Sequence, residues 1–192
     1  MNGETRSALR EIDDFLLWLR VERGRAESTI SSYQRDLLKY VEWLKDQGEL
    51  VSSVKESSII SYLRNLQSGG FAASTITRSM VAIRSFHRFL EIEDIRSDDP
   101  TKNVELPRVP RGLPKPITER EVNELLSMVE GTQAPDRRDK AILEVLYGTG
   151  ARISEVVALS ISDIDLSESL LKVLGKGNKE RIVPLGRYAE RA

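Results

Sequence analysis

Five of the chain's seven prolines, Pro100, Pro107, Pro110, Pro114 and Pro116, fall within 17 consecutive residues. Each proline lacks a backbone donor, fixes its own φ and pushes the preceding residue away from helix. Regular structure is therefore not expected from Ser97 to Pro116, SDDPTKNVELPRVPRGLPKP. The stretch divides the sequence into residues 1–98, an extended linker at 99–116 and a second part at 117–192.

The first part carries four amphipathic patterns. From Ser7 to Val21, Leu9, Ile12, Leu16 and Leu19 recur at helical spacing, with Arg10, Asp13 and Arg20 on the other face and a stop near Gly24. Ser28 is the expected N-cap of a second helix with Ile30, Tyr33, Leu37, Val41 and Leu44 inward, stopping at Gly48. A third runs from about Glu56 to Gln67 on Ile59, Ile60, Leu63 and Leu66. The fourth starts after Ser74 and carries Ile76, Met80, Ile83, Phe86, Phe89 and Leu90 to about Ile92. No strand signal interrupts them. Trp18 and Trp43 fall on or beside core stripes, and His87, between Phe86 and Arg88, reads as a partly buried or surface residue.

Beyond the prolines the pattern changes. Thr118 with Glu121 forms a capping-box pair opening a helix on Val122, Leu125, Leu126 and Val129, and another helix spans about Asp136 to Tyr147. Gly148-Thr149-Gly150 breaks the chain, and Arg152 to Leu159 has room for two helical turns. Leu170 to Leu174, a Gly-rich turn from Gly175 to Lys179, and Arg181 to Leu185 read as a β-hairpin, after which a helix opens toward Ala192. The fold class is mainly α, four helices followed by an α+β part that contains a hairpin.

Composition excludes several function classes. With no Cys and one His in 192 residues, disulfides, thiolate metal sites, cysteine nucleophiles and histidine-rich metal centres are ruled out. Cysteine usage suits a reducing cytoplasm. The N-terminus has no signal-peptide pattern and no window is apolar enough to span a membrane. The 29 Lys plus Arg against 30 Asp plus Glu leave a net charge of −1, so a nucleic-acid partner has to be argued from local charge. Two basic faces stand out: Arg78, Arg84 and Arg88 on the fourth helix, unopposed until Glu91, and Lys172, Lys176, Lys179 and Arg181 on the hairpin against Glu180.

Few residues suggest chemistry singly. Gly175-Lys176-Gly177 leads back into a strand and so fails the phosphate-loop pattern; the turn either projects one ammonium into a groove or is a solvated tip. Arg152 at a helix start suits a phosphate oxyanion or plain solvent, and Glu155, three residues on, either holds that guanidinium or forms a surface pair.

Taken in order, Asp139-Lys140-Ala141-Ile142-Leu143, Tyr147 through Glu155, Asp163-Ile164-Asp165, Gly175 through Arg181 and Pro184-Leu185 resemble the tyrosine recombinases (phage integrases), nearest the Xer type. The first part matches in layout through Ser28-Thr29, Tyr33, Asp36-Leu37, Thr75-Ile76, Arg78, Arg84-Ser85-Phe86, Asp99-Pro100 and Leu113-Pro114. The resemblance implies a four-helix SAM-like core-binding domain and a catalytic domain closing around duplex DNA. It implies strand cleavage through a 3′-phosphotyrosyl link without metal or cofactor. Arg152 matches the Arg that clamps the scissile phosphate, Lys176 the hairpin general acid, and Glu155 a supporting acid. Arg78, Arg84, Arg88, Lys179 and Arg181 become candidate DNA contacts. A partner recombinase in a tetrameric synapse is implied for the complete protein, with a cytoplasmic role in chromosome partition at cell division or in mobile-element integration.

The family's His-x-x-Arg motif, a further His or Trp, and the nucleophilic Tyr follow the hairpin, whereas this sequence stops at Ala192. Tyr188 comes too early, and Tyr33, Tyr40, Tyr62 and Tyr147 match no catalytic position. The expectation is a recombinase fragment, inactive alone. The competing readings are a non-catalytic DNA-binding protein derived from a truncated recombinase and a helical interaction module.

Overall fold

The structure, a computed structural model, describes residues 3–105, 115–175, 177 and 179–192. It divides into two compact units, Met1–Gly112 and Leu113–Ala192. Lys176 and residues 106–114 of the expected linker lie outside the described residues.

The first unit contains α1 (Gly3–Val21), α2 (Glu27–Asp46), α3 (Glu56–Ser68) and α4 (Ala73–Ile92). Their apolar stripes meet in one core in which Ile12, Phe15, Leu37, Leu44, Ile59, Met80, Ile83, Phe86 and Leu90 are fully buried. Trp18 and Trp43 pack against it partly buried, as their positions on the stripes predict. Ser28 is not the N-cap: α2 begins at Glu27, after Ala26, which has no side chain able to cap. The negative end of Glu27 serves the helix dipole instead and is held by Arg20, whose Nε and Nη2 donate at 2.6 and 3.0 Å. Likewise α4 begins at Ala73, two residues ahead of the start expected after Ser74.

Two arginines fasten the segment after α4. Arg96 is buried, yet its guanidinium is satisfied by the carbonyls of Val51, Val54 and Asp98 and by the Asp98 carboxylate at 2.9 Å. Arg84 donates to the carbonyls of Thr101 and Val104. Thr101, buried, turns the chain by donating its N–H and hydroxyl to Asp99 Oδ1 at 2.8 and 2.6 Å, and Val104 joins the core. Residues 99–105, expected as extended linker, are therefore packed turns. One proline, Pro100, sits where no helix or strand was continuing, and the partly buried Arg84 supplies donors to the Thr101 and Val104 carbonyls.

His87 is not at the surface. It is fully buried, and its Nε2 lies 3.0 Å from the Tyr40 hydroxyl, while Nδ1 has no partner among the described residues. Burial above all, with Arg96 adding repulsion, lowers its pKa to about 3.

The second unit contains α5 (Glu119–Met128), α6 (Ala134–Thr149), α7 (Ile153–Val156), β1 (Ile164–Asp165), β2 (Leu170–Leu174), β3 (Glu180–Pro184) and α8 (Arg187–Arg191). The Thr118/Glu121 box forms as read: Glu121 accepts the Thr118 N–H at 2.7 Å and Thr118 Oγ1 accepts the Glu121 N–H at 3.3 Å. Lys140 donates to the Leu126 carbonyl at 2.6 Å, tying α6 to the end of α5. The hairpin is antiparallel with Lys172 opposite Ile182 and Leu174 opposite Glu180. β1 adds a third strand, Ile164 pairing Leu171, because Asp165 accepts the N–H groups of Ser167 and Glu168 at 3.0 Å and turns the chain back. Ala151, Val156, Leu171 and Val173 form the core here, which packs α7 on the inner face of the hairpin.

Because the chain has a single histidine, its titration is readable in stability. The unfolded chain takes up a proton near pH 6.5, the buried imidazole only near 3, so stability is complete above 6.5 and falls as pH drops between those values. Chemical denaturation is expected to show a loss of about 1 kcal/mol between pH 7 and 5.5. His87→Gln should abolish that slope; an unchanged slope would show that His87 is not the group responsible.

Candidate functional site

The second unit's polar centre starts at the end of α6. Gly150 adopts φ 63°, the left-handed conformation that glycine takes without a Cβ penalty, and donates its N–H back to the Leu146 carbonyl at 3.0 Å. Thr149 Oγ1 donates to the Val145 carbonyl at 2.6 Å and accepts the Ala151 N–H at 3.1 Å. With Ala151 buried in the core, the chain leaves α6 sharply and Arg152 becomes the N-cap of α7.

An arginine side chain has no acceptor with which to cap a helix, so the cap contact runs the other way. Glu155 Oε2 accepts the Arg152 backbone N–H at 2.8 Å, and Glu155 Oε1 accepts Arg152 Nη1 at 2.8 Å. The same carboxylate accepts Arg181 from β3 in a fork: Nη1 to Oε1 at 3.0 Å and Nη2 to Oε2 at 2.7 Å. Glu155 is 4% exposed and thus receives four charge-assisted or backbone bonds in a nearly dry place. The Arg181 bonds first, then the Arg152 backbone bond, lower its pKa to about 2, so the carboxylate stays ionised throughout the physiological range.

The two guanidiniums are not equivalent. The Arg152 side chain is 67% exposed, that of Arg181 38%. Arg152 Nε and Nη2 make no hydrogen bond within the described residues and point to a side chain fixed at one corner and open elsewhere. That arrangement can take an oxyanion bidentately. The geometry accordingly resolves the open alternatives for Glu155: it is a buried brace for Arg152 rather than a surface pair.

The other sequence-read basic residues divide by use. On the hairpin, Lys172 faces Glu180 at 3.3 Å and Lys179 is exposed. In the first unit, Arg78 is opposed after all: its Nε and Nη2 fork onto the buried Asp36 carboxylate of α2 at 3.0 and 3.1 Å. Arg84 is engaged with backbone carbonyls, and Arg88 is exposed without a hydrogen bond or ion pair among the described residues. Tyr147 and Tyr188 line an open cavity of about 580 Å³ with Leu126, Lys140, Glu144 and Arg191. Tyr147 is half exposed, a groove position rather than core. Among the described residues no group of three or more Asp, Glu or His is placed to hold a metal, and no helix is long and apolar enough to cross a membrane.

Sequence reading missed the pairings Arg78–Asp36 and Arg181–Glu155 and the burial of Arg96. The signal for the first two was a lone carboxylate at the edge of an apolar stripe, Asp36 beside Leu37 and Glu155 beside Val156, which burial obliges to find a cation.

Comparison with known proteins agrees with this layout. Residues 12–94 match the family described as phage integrase, N-terminal SAM-like domain, and residues 115–192 match the phage integrase family. Tyrosine recombinase XerD of Halalkalibacterium halodurans is 43% identical over 94% of this chain and 61% of its own length. Tyrosine recombinase XerC of Herpetosiphon aurantiacus is 40% identical over 92% of this chain and 58% of its own. The chain thus spans about 60% of the length of the curated relatives it matches. In fold it is similar to XerH site-specific recombinase bound to palindromic difH substrate, with a TM-score of 0.71 and 18% identity over all of this chain and 68% of that one. It is also similar to the lambda integrase dimer bound to a COC′ core site, with a TM-score of 0.71 and 16% identity over 91% of this chain and 47% of that one. On the match of both units the chain belongs to the phage integrase family, and across them it is similar to tyrosine recombinases of the Xer type.

Proposed function

We propose that this chain is the DNA-binding portion and the first part of the catalytic portion of a site-specific recombinase. The complete protein would cut and rejoin duplex DNA through a 3′-phosphotyrosyl intermediate. The observation that carries this reading is Arg152, braced on a buried carboxylate at one corner and open at the others.

In this mechanism a tyrosine hydroxyl attacks the scissile phosphorus, the 5′-oxygen leaves with a proton, and a 5′-hydroxyl later reverses the step. Arg152 would hold the phosphoryl oxygens and stabilise the charge that builds on them. Lys176, by family resemblance, would deliver the proton. Exposed Arg88 and Lys179 would contact phosphates, whereas Arg84, already engaged with the Thr101 and Val104 carbonyls, would act on fold rather than on DNA. The partners are duplex DNA and, for the complete protein, a second recombinase in a tetrameric synapse. The site of action would be the cytoplasm, in chromosome partition at cell division.

Duplex affinity of the 192-residue chain should fall as salt rises despite its net charge of −1. Arg88→Ala and Arg152→Ala should each reduce the salt slope by about 1. Arg84→Ala should lower the thermal midpoint of the first unit before it changes the slope. Affinity that is flat with salt, or indifferent to Arg152→Ala, would contradict the reading.

No tyrosine of the chain matches the nucleophile, and Tyr40 and Tyr62 are buried. A suicide duplex with a nick beside the cleavage phosphate should therefore yield no denaturant-resistant adduct with this polypeptide. An adduct mapped to Tyr147 or Tyr188 would overturn the assignment of the nucleophile outside these residues.

A further inference from the structure

Arg181 was read as a DNA contact because it stands on a basic hairpin. Its surroundings argue otherwise. Both terminal nitrogens, Nη1 and Nη2, are committed to Glu155 at 3.0 and 2.7 Å. The hairpin backbone is also shaped around it. A Cβ placed on Gly175 would lie 3.1 Å from Arg181 Nη1 and 3.5 Å from Glu155 Oε1, so a side chain at position 175 would crowd the guanidinium and make it shift by a few tenths of an ångström. Three pieces of chain, α7, the end of β2 and β3, therefore close on this one fork.

The charges explain what the fork does. Arg152 and Glu155 alone would form a neutral pair, with Arg152 drawn fully onto a carboxylate that has little other solvation. A second guanidinium on the same carboxylate brings the cluster to a net charge of +1 and occupies the acceptor positions on which Arg152 would otherwise close bidentately. One corner of Arg152 remains anchored and its charge stays available to an anion. Both guanidiniums draw on the same two carboxylate oxygens, so the choice between neutral pair and cationic triad is felt at the Arg152 head.

We infer that Arg181 is a positioning residue, acting through Glu155: it takes up the Glu155 charge so that Arg152 stays free and cationic for a DNA phosphate. The inference rests on the reading of Arg152 as the phosphate anchor. It separates two roles on the same hairpin, with Lys179 facing solvent and Arg181 turned inward.

The test is duplex affinity and its salt slope in the 192-residue chain, with the thermal midpoint of each variant as a check on folding. Arg152→Ala is the reference. Arg181→Gln, which keeps side-chain length and loses the charge, should weaken binding about as much as Arg152→Ala, on the order of 3- to 10-fold. The decisive variant is Glu155→Gln combined with Arg181→Gln. With the countercharge also gone, Arg152 is again an unneutralised cation, and affinity and slope should return toward those of the unaltered chain. Arg181→Lys, keeping the charge, should bind better than Arg181→Gln; should Arg181→Gln not fold, Arg181→Met, of similar length and uncharged, takes its place with the same expected loss.

A direct phosphate contact by Arg181 would give additive losses for Arg152→Ala and Arg181→Gln with no recovery on adding Glu155→Gln; that result overturns the inference. So would a full loss at Arg152 with none at Arg181. Indifference of binding to Arg152→Ala would instead strike the underlying reading of Arg152, and is distinguishable from both.

Discussion

The carboxylate of Glu155 is the point on which the second unit's organisation turns. It lies at 4% exposure and accepts four hydrogen bonds, two from Arg152 and two from Arg181. Removing water from a carboxylate costs several kcal/mol unless cations and donors replace it. Here the replacements come from a helix start and from the far strand of a hairpin, the latter 26 residues beyond Glu155 in sequence. The burial of one charge thereby fixes the position of α7 against β3. Gly150 and Gly175 are the backbone conditions for it, the first turning the chain into Arg152, the second leaving room for Arg181.

The same economy explains how a chain of net charge −1 can face a polyanion. Most of the cations named above already have partners: Arg78 has Asp36, Arg96 and Arg84 have backbone carbonyls, Lys172 has Glu180 at the surface, and Arg181 has Glu155. Of the candidate contacts read from the sequence, Arg88 in the first unit and Arg152 and Lys179 in the second remain outward. Local placement of a few charges, rather than bulk field, is then what a phosphate backbone would meet.

Much of this was legible in the sequence, and what was not has a common cause. Helices α1 to α4, the Thr118/Glu121 cap and the hairpin follow from local pattern: period of apolar residues, capping pairs and glycine turns. The i,i+3 relation of Arg152 and Glu155 is local too. The ion pairs of Arg78 and Arg181 were not legible because their partners lie 42 and 26 residues away, and a one-dimensional basic stripe does not show a carboxylate arriving from another element. His87 was read as partly buried or at the surface on residue type, whereas tertiary packing buried it fully and gave it the Tyr40 hydroxyl in the core. Residues 99–105 were read as extended from their proline, but the donors of Arg84 and the Thr101–Asp99 bonds stabilise packed turns there. Ser28 lost the cap position to Ala26 because Glu27, held by Arg20, already answers the helix dipole.

The central claim is that Arg152, braced by Glu155 and Arg181, is the residue that meets phosphate. Side-chain Nε–Hε resonances of the arginines, followed by NMR while a duplex carrying a recombination site is added, address it most directly. The account predicts a large shift for Arg152 and for exposed Arg88, with the Arg181 signal held near its free position by the Glu155 fork. A spectrum in which Arg181 moves and Arg152 stays still would contradict it.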